Sequence, residues 1–170
     1  SANRISIMIA TPSHLRIMSG TQESVSRAAL PALRIMVVAG EPNLPQQVDI
    51  WAPGRQYIDA YGPAEITLWS HCCTLNKGDP INLGEVMPGW KDFIVDKDTL
   101  ELVPDGEEGV MLIGGAGLAR GYLNNKEQTS AKFLNTEQFG LVYNTGDVMI
   151  RRLDGVLEFR GRVDFQTKCR

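Results

Sequence analysis

Apolar positions in this chain fall into short runs whose texture changes near residue 78. Residues 5–10 (Ile-Ser-Ile-Met-Ile-Ala) are apolar at nearly every position and rich in β-branched side chains, the pattern of a strand buried on both faces. Pro12 and Ser13 offer a helix start, with Leu15 and Met18 three apart. Residues 21–30 read as a second helix with Thr21 as its cap, and 33–39 (Leu-Arg-Ile-Met-Val-Val-Ala) as a second buried strand closed by Gly40. A Pro-rich helical stretch over 42–51 and a short strand over 56–60 complete a strand–helix alternation, which predicts a parallel α/β layer over residues 1–78.

Beyond residue 78 the apolar runs shorten: 91–95, 100–103, 109–113, 148–153 and 156–159. Between them stand Asp-Lys-Asp, Pro-Asp-Gly, Gly-Gly-Ala-Gly and Asp-Gly, residues that turn a hairpin. One helix is expected over 125–133. The pattern predicts a small antiparallel, β-barrel-like subdomain over 79–160, so the fold class expected is α/β followed by antiparallel β. No internal repeat or low-complexity tract interrupts it.

Charge narrows the partners. The 170 residues carry 17 Lys and Arg against 20 Asp and Glu, a net charge of −3. Without a basic stripe, nucleic acid is not the expected partner. No apolar run is long enough to span a membrane. Cys72 and Cys73 are adjacent and Cys169 is remote, which is neither a disulfide framework nor a zinc spacing. Free thiols in a reducing, cytoplasmic compartment are the expectation. Both ends look cut from a longer protein.

The residues richest in chemistry are Asp59-Ala-Tyr-Gly-Pro-Ala-Glu65. Behind an apolar run, a Gly-Pro turn presents a ring that can stack on a base and a carboxylate that can hold a hard cation, the needs of a metal–nucleotide site. Alone the heptapeptide is equally a polar turn. Gly114-Gly-Ala-Gly-Leu-Ala-Arg-Gly121 invites comparison with a dinucleotide fingerprint, but Arg120 stands where a third small residue belongs and no helix opens there. A close-packed β turn explains those glycines better. Asp147, after Tyr143-Asn-Thr-Gly, reads either as a solvated turn residue or as a strand-edge carboxylate able to grip both ribose hydroxyls.

These segments, with Gly161-Arg-Val-Asp164, follow one another in an order that resembles the adenylate-forming enzymes. The chain is most similar to the amino-acid adenylation domain of nonribosomal peptide synthetases, and residues 117–123 (Gly-Leu-Ala-Arg-Gly-Tyr-Leu) favour that branch over acyl-CoA ligases and luciferases. The resemblance implies the C-terminal half of the large core subdomain. It implies ATP and Mg2+ as cofactors, an amino acid as substrate, and a carrier domain bearing phosphopantetheine as partner. Tyr61 would stack on adenine, Asp59 would accept from its exocyclic amine, and Gly62 belongs to the same turn. Glu65 would hold Mg2+ against the phosphates. The backbone of Gly40, Glu41 and Pro42 would run along the nucleotide. Asp147 would take the ribose hydroxyls and Arg162 the ribose or phosphate side, with Phe159 where the family often has Tyr. Asp164 would mark the hinge, in a segment 161–170 that opens toward a C-terminal lid.

By the same resemblance Ile9, Val37, Ala39, Ala60, Leu68 and Trp69 would line the side-chain pocket. All six are apolar, so a charged substrate side chain would be buried without a partner; the expected substrate is neutral, apolar or aromatic. For Ile9 and Val37 plain β-core packing is the competing reading. Ala64 replaces the usual Thr, as in some fungal members, and Phe165, Thr167 and Cys169 replace commoner residues. The Ser/Thr/Gly-rich phosphate loop, the Asp for the α-amino group and the lid Lys are absent from the 170 residues. The chain alone is therefore expected to form no adenylate, its partners being the missing N-terminal core half and the lid. Two alternatives stand beside this reading: an acyl-CoA or aryl-acid ligase fragment, and a scaffold fragment without catalysis.

Overall fold

The computed structural model describes residues 4–19 and 29–163. The chain divides into two compact units that interleave in sequence: Ser1–Tyr61 with His71–Leu83, and Gly62–Ser70 with Gly84–Arg170.

The first unit carries strands β1 (Ile7–Ala10), β2 (Ile35–Ala39), β3 (Gln56–Tyr61) and β4 (His71–Leu75), with helices α1 (Pro12–Met18) after β1 and α2 (Pro45–Trp51) after β2. β1, β2 and β3 are parallel neighbours, and β4 lies antiparallel to β3. Local chemistry sets the helix starts. Pro12 and Pro45 open their helices, where a missing N–H costs nothing, and the Thr11 hydroxyl accepts from the His14 N–H at 3.3 Å.

Leu15 of α1, Val48 and Trp51 of α2, Met36 and Val38 of β2, Tyr57 of β3 and Leu75 of β4 form the core, with Met8 and Ala10 packed against it. Each such side chain contributes roughly 1.5–3 kcal/mol by leaving water. The alternate residues of β1 do not join them: Ile7 is 53% and Ile9 65% exposed. The strand expected to be buried on both faces is buried on one, because α1 and α2 pack on the same side of the sheet. Most of the helix expected over 21–30 lies outside the described residues.

The second unit begins with a 3-10 turn at Ala64–Ile66, then β5 (Glu85–Val86), β6 (Trp90–Val95), β7 (Glu108–Gly115), α3 (Lys126–Lys132), β8 (Phe133–Thr136), β9 (Gly140–Arg151) and β10 (Leu157–Arg162). The sheet order is β10-β9-β7-β6, all antiparallel, and β8 also pairs with β9. Val95, Leu112 and Val142 are fully buried, flanked by Phe93 stacked on Phe139 at 4.3 Å.

The α/β class and the antiparallel second part thus follow the pattern read from the sequence. β4 and β8 were not foreseen, and the run at 100–103 forms only a bridge between Val95 and Leu102. Among the described residues no helix is long and apolar enough to cross a membrane.

Trp51 is fully buried, and its indole N–H donates to the Ser19 hydroxyl at 2.7 Å. Trp51→Ala is expected to destabilise the first unit by about 3–5 kcal/mol, read as a lower midpoint in urea.

Candidate functional site

In an open parallel sheet, ligands sit beyond the carboxyl ends of the strands. The first unit places its candidate residues there. Gly40, Glu41 and Pro42 leave the end of β2, and Asp59, Ala60 and Tyr61 close β3. Gly40 has φ of 92°, a left-handed conformation that suits glycine. The Glu41 carboxylate is engaged: the N–H of Ser13 (3.1 Å) and its hydroxyl (2.5 Å) both donate to Oε2, tying this segment to the start of α1. Its backbone is what remains for a ligand. The Tyr61 ring meets His71 edge-on at 6.0 Å.

Asp59 is only 4% exposed and shares the helix-covered side of the sheet with Tyr57. The Tyr57 hydroxyl donates to Asn43 Oδ1 at 2.7 Å. Burial pushes the Asp59 carboxyl up to about 6, against an opposing pull from the Asn43 side chain and the Ala60 backbone. Burial, then the nearby Asp59 charge, raises the Cys73 thiol to about 12, so that thiol is unreactive at neutral pH. Cys72 and Cys73 are free thiols, as expected, and Cys169 lies outside the described residues.

The heptapeptide is divided between the units: Asp59–Tyr61 belong to the first, and Gly62 to Glu65 to the second. In the second unit the 3-10 turn packs on the loop that follows β7. The Ala119 N–H donates to the Glu65 carbonyl at 2.7 Å, and the Thr67 hydroxyl to the Gly117 carbonyl at 2.6 Å. A Cβ on Gly117 would lie 2.4 Å from the Trp90 indole, and one on Gly115 2.6 Å from the same ring. The glycine run is thus a turn folded against Trp90, as the broken fingerprint implied. On Gly62 a Cβ would come 2.5 Å from the Leu68 carbonyl, so this loop also closes tightly on itself.

The Glu65 carboxylate accepts from the Tyr122 hydroxyl at 2.7 Å, and the Tyr143 hydroxyl stands 3.4 Å behind Tyr122. Sequence reasoning gave neither tyrosine a role. Tyr122 is 57 positions from Glu65, and no local pattern signals such a pairing.

A bulge brings Asp147 and Arg162 together. Val110 pairs with Val148 but Leu112 with Asn144, so β9 carries extra residues around Thr145–Asp147. The Thr145 hydroxyl donates to the Met111 carbonyl and accepts from the Asp147 N–H. A second irregularity, between Phe159 and Gly161, sets Arg162 directly opposite Asp147. Their side chains form an ion pair at 2.5 Å, with Asp147 7% and Phe159 36% exposed. Asp164 lies outside the described residues.

Of the six pocket candidates, four share one face of the first unit's sheet. Ile9 pairs with Val37, and Ala39 with Ala60, on the side away from the core helices. Cys72 is the register partner of Ala60 and extends that face, a neighbour the sequence did not disclose. Leu68 and Trp69 belong to the second unit, where Leu68 is exposed with φ of 91°.

Among the described residues no group of three His, Cys, Asp or Glu side chains could hold a metal. A single carboxylate nevertheless suits Mg2+, which takes one or two protein carboxylates and fills its shell with water and phosphate. Glu65 fits that role.

The AMP-binding enzyme family model matches residues 1–123, and the chain belongs to that family. Its relatives include peptide synthetases. It is 37% identical to phosphinothricin tripeptide synthetase PhsC of Streptomyces viridochromogenes, over 98% of this chain and 15% of that protein. It is 35% identical to tyrocidine synthase 1 of Brevibacillus parabrevis, over 100% and 15%. With novobiocin biosynthesis protein H of Streptomyces niveus the identity is 39%, over 93% and 27%. The chain thus spans less than a third of these relatives.

Two solved structures show the same fold. The nonribosomal peptide synthetase FmoA3, in its α-methyl-L-serine-AMP bound form, is 33% identical with a TM-score of 0.85, over 96% of this chain and 19% of that one. Holo-PA1221, with adenylation and PCP domains, is 26% identical with a TM-score of 0.82, over 96% and 29%.

The Asp59 carboxyl, at about 6 when folded and 3.8 as its ordinary value, binds its proton more tightly in the folded state. Its contribution is present at low pH and is lost as pH rises from about 4 to above 6, up to ~3 kcal/mol at about 1.4 kcal/mol per unit. Asp59→Asn is expected to flatten the pH dependence of thermal unfolding between pH 4 and 7 and to raise the melting temperature at pH 7.5.

Proposed function

We propose that this chain is part of an adenylation domain that activates an amino acid with ATP, giving an aminoacyl-adenylate for transfer to a carrier-protein thiol. The observation that carries the proposal is the placement of Gly40–Pro42 and Asp59–Tyr61 at the carboxyl ends of parallel strands β2 and β3. The peptide synthetases among the relatives, and the AMP-bound form among the structural neighbours, support it.

Each residue's part follows from its chemistry. The Tyr61 ring offers a stacking face for adenine, beside the Gly40–Pro42 backbone. Asp59 is assigned to the adenine amine; with its carboxyl largely enclosed, the polar edge it offers is narrow. Asp147 receives the ribose hydroxyls. Arg162, already paired with Asp147, compensates that carboxylate's charge and adds positive charge toward ribose or phosphate. Phe159 contributes apolar surface beside them. Mg2+, held by Glu65 and the phosphates, would offset charge that builds on the α-phosphate. Gly62 allows the turn that presents Glu65.

The apolar face made by Ile9, Val37, Ala39 and Ala60 on the first unit's sheet supports a neutral, apolar or aromatic side chain on the substrate. The phosphopantetheine thiol of a carrier domain would accept the acyl group, the N-terminal core half and the lid supplying what these residues lack. Asp164 is assigned to the hinge.

The test is amino-acid-dependent exchange of pyrophosphate into ATP by the full-length parent, with a panel of carboxylic acids with and without an α-amine. Exchange confined to α-amino acids is expected; exchange with aryl or acyl acids alone would replace this reading with an acyl-CoA or aryl-acid ligase. Asp147→Asn should raise the KM for ATP about tenfold, near the ~1.4 kcal/mol of one weakened charged hydrogen bond. The 170-residue chain alone should show no exchange.

A further inference from the structure

Glu65 does not stand alone, and its neighbours are built to fix it. The Ala119 N–H anchors its carbonyl, and the Tyr122 hydroxyl binds Oε1 of its side chain. Tyr122 is itself fixed from behind. Its N–H donates to the Thr129 hydroxyl at 2.9 Å, while that hydroxyl donates to the Asn125 carbonyl at 2.7 Å. Gly121, with φ of 131°, has no room for a side chain, since a Cβ would lie 2.4 Å from Thr129. The Tyr122 ring meets Phe133 edge-on at 5.8 Å, and Phe133 meets Tyr143 at 5.1 Å. Three rings and the first turns of α3 therefore hold one phenol against one carboxylate.

A phenol has a single proton. Tyr122 gives its proton to Glu65, so a bond between the two hydroxyls, 3.4 Å apart, has Tyr143 as its donor. A carboxylate has about four lone-pair sites; Tyr122 occupies one and fixes the plane in which the others point.

We propose that Tyr122 is a positioning residue that orients the Glu65 carboxylate toward a divalent cation, with Tyr143 setting the direction of the Tyr122 proton. The inference rests on the reading of Glu65 as the carboxylate that meets Mg2+. The cost of turning an unrestrained carboxylate into place is met by the fold rather than by the metal, so losing the phenol should appear in the metal-dependent part of nucleotide binding.

The experiment measures binding of a non-hydrolysable ATP analogue to the full-length parent by calorimetry, once with excess Mg2+ and once with chelator. Glu65→Gln tests the underlying reading, and thermal melts report folding. In Tyr122→Phe the affinity with Mg2+ should fall about tenfold, the scale of one hydrogen bond to a charged group, while metal-free affinity stays within about twofold of the parent. Tyr143→Phe should lose about threefold in the same Mg2+-dependent part.

If Glu65→Gln removes the Mg2+ effect and Tyr122→Phe leaves it intact, the positioning role is overturned and the assignment of Glu65 survives. Should Glu65→Gln itself change nothing, both fall together. An equal loss with and without Mg2+ in Tyr122→Phe would also overturn the proposal, since it would mark a general loosening of the loop. Where Tyr122→Phe melts early, Tyr143→Phe decides: an unchanged Mg2+ increment overturns the role.

Discussion

The carbonyl of Glu65 accepts from the backbone of Ala119, and the arrangement of the second unit around that bond is hard to alter piecemeal. Thr67, two residues after Glu65, reaches the carbonyl of Gly117, two residues before Ala119, and the Trp90 indole fills the space that side chains at 115 and 117 would need. Thr67 and Leu68 hold φ values of 58° and 91°, a conformation costing non-glycine residues on the order of 1–3 kcal/mol. Such strain persists only where surrounding contacts over-determine it. Here the glycine turn and Trp90 supply those contacts, so the direction of Glu65 is set by residues some 50 positions away.

The two carboxylates buried among the described residues show how environment separates similar groups. Asp59 lies among the core side chains of the first unit, where burial favours its neutral form. Asp147 is nearly as enclosed but faces Arg162 across two strands, so its charge is compensated. Both bulges that create this pairing add residues to a ladder whose register would otherwise set the two side chains apart. One acid has been given a guanidinium; the other has been given an amide.

Much of this was legible in the sequence, and the failures have physical causes. The β-branched runs disclosed β2, β6 and β7, and Pro12 and the Pro45 region disclosed α1 and α2, because periodicity and proline act locally. Asn144-Thr-Gly146 read as a turn before a strand; in fact Gly146 takes φ of 71° inside one twelve-residue strand, where turn residues make a bulge. β4 was hidden because His-Cys-Cys-Thr lacks a clear alternation, although His71 is fully buried. Ile5, Ile7 and Ile9 suggested enclosure on both faces, and composition alone does not say which layer covers a strand. The Tyr122–Glu65 contact had no sequence signal at all, since only the folded sheet brings those positions together.

The isoleucines of β1 have a consequence outside chemistry. Ile7 and Ile9, with Ile5 just before the strand, are each more than half exposed, and among the described residues β1 ends the sheet order and pairs only with β2. An edge of this kind, apolar and without charge, favours strand-to-strand association between copies. The 170-residue chain should therefore be a colloidally fragile molecule whose apparent size depends on concentration, and dilution will be as important to its handling as temperature.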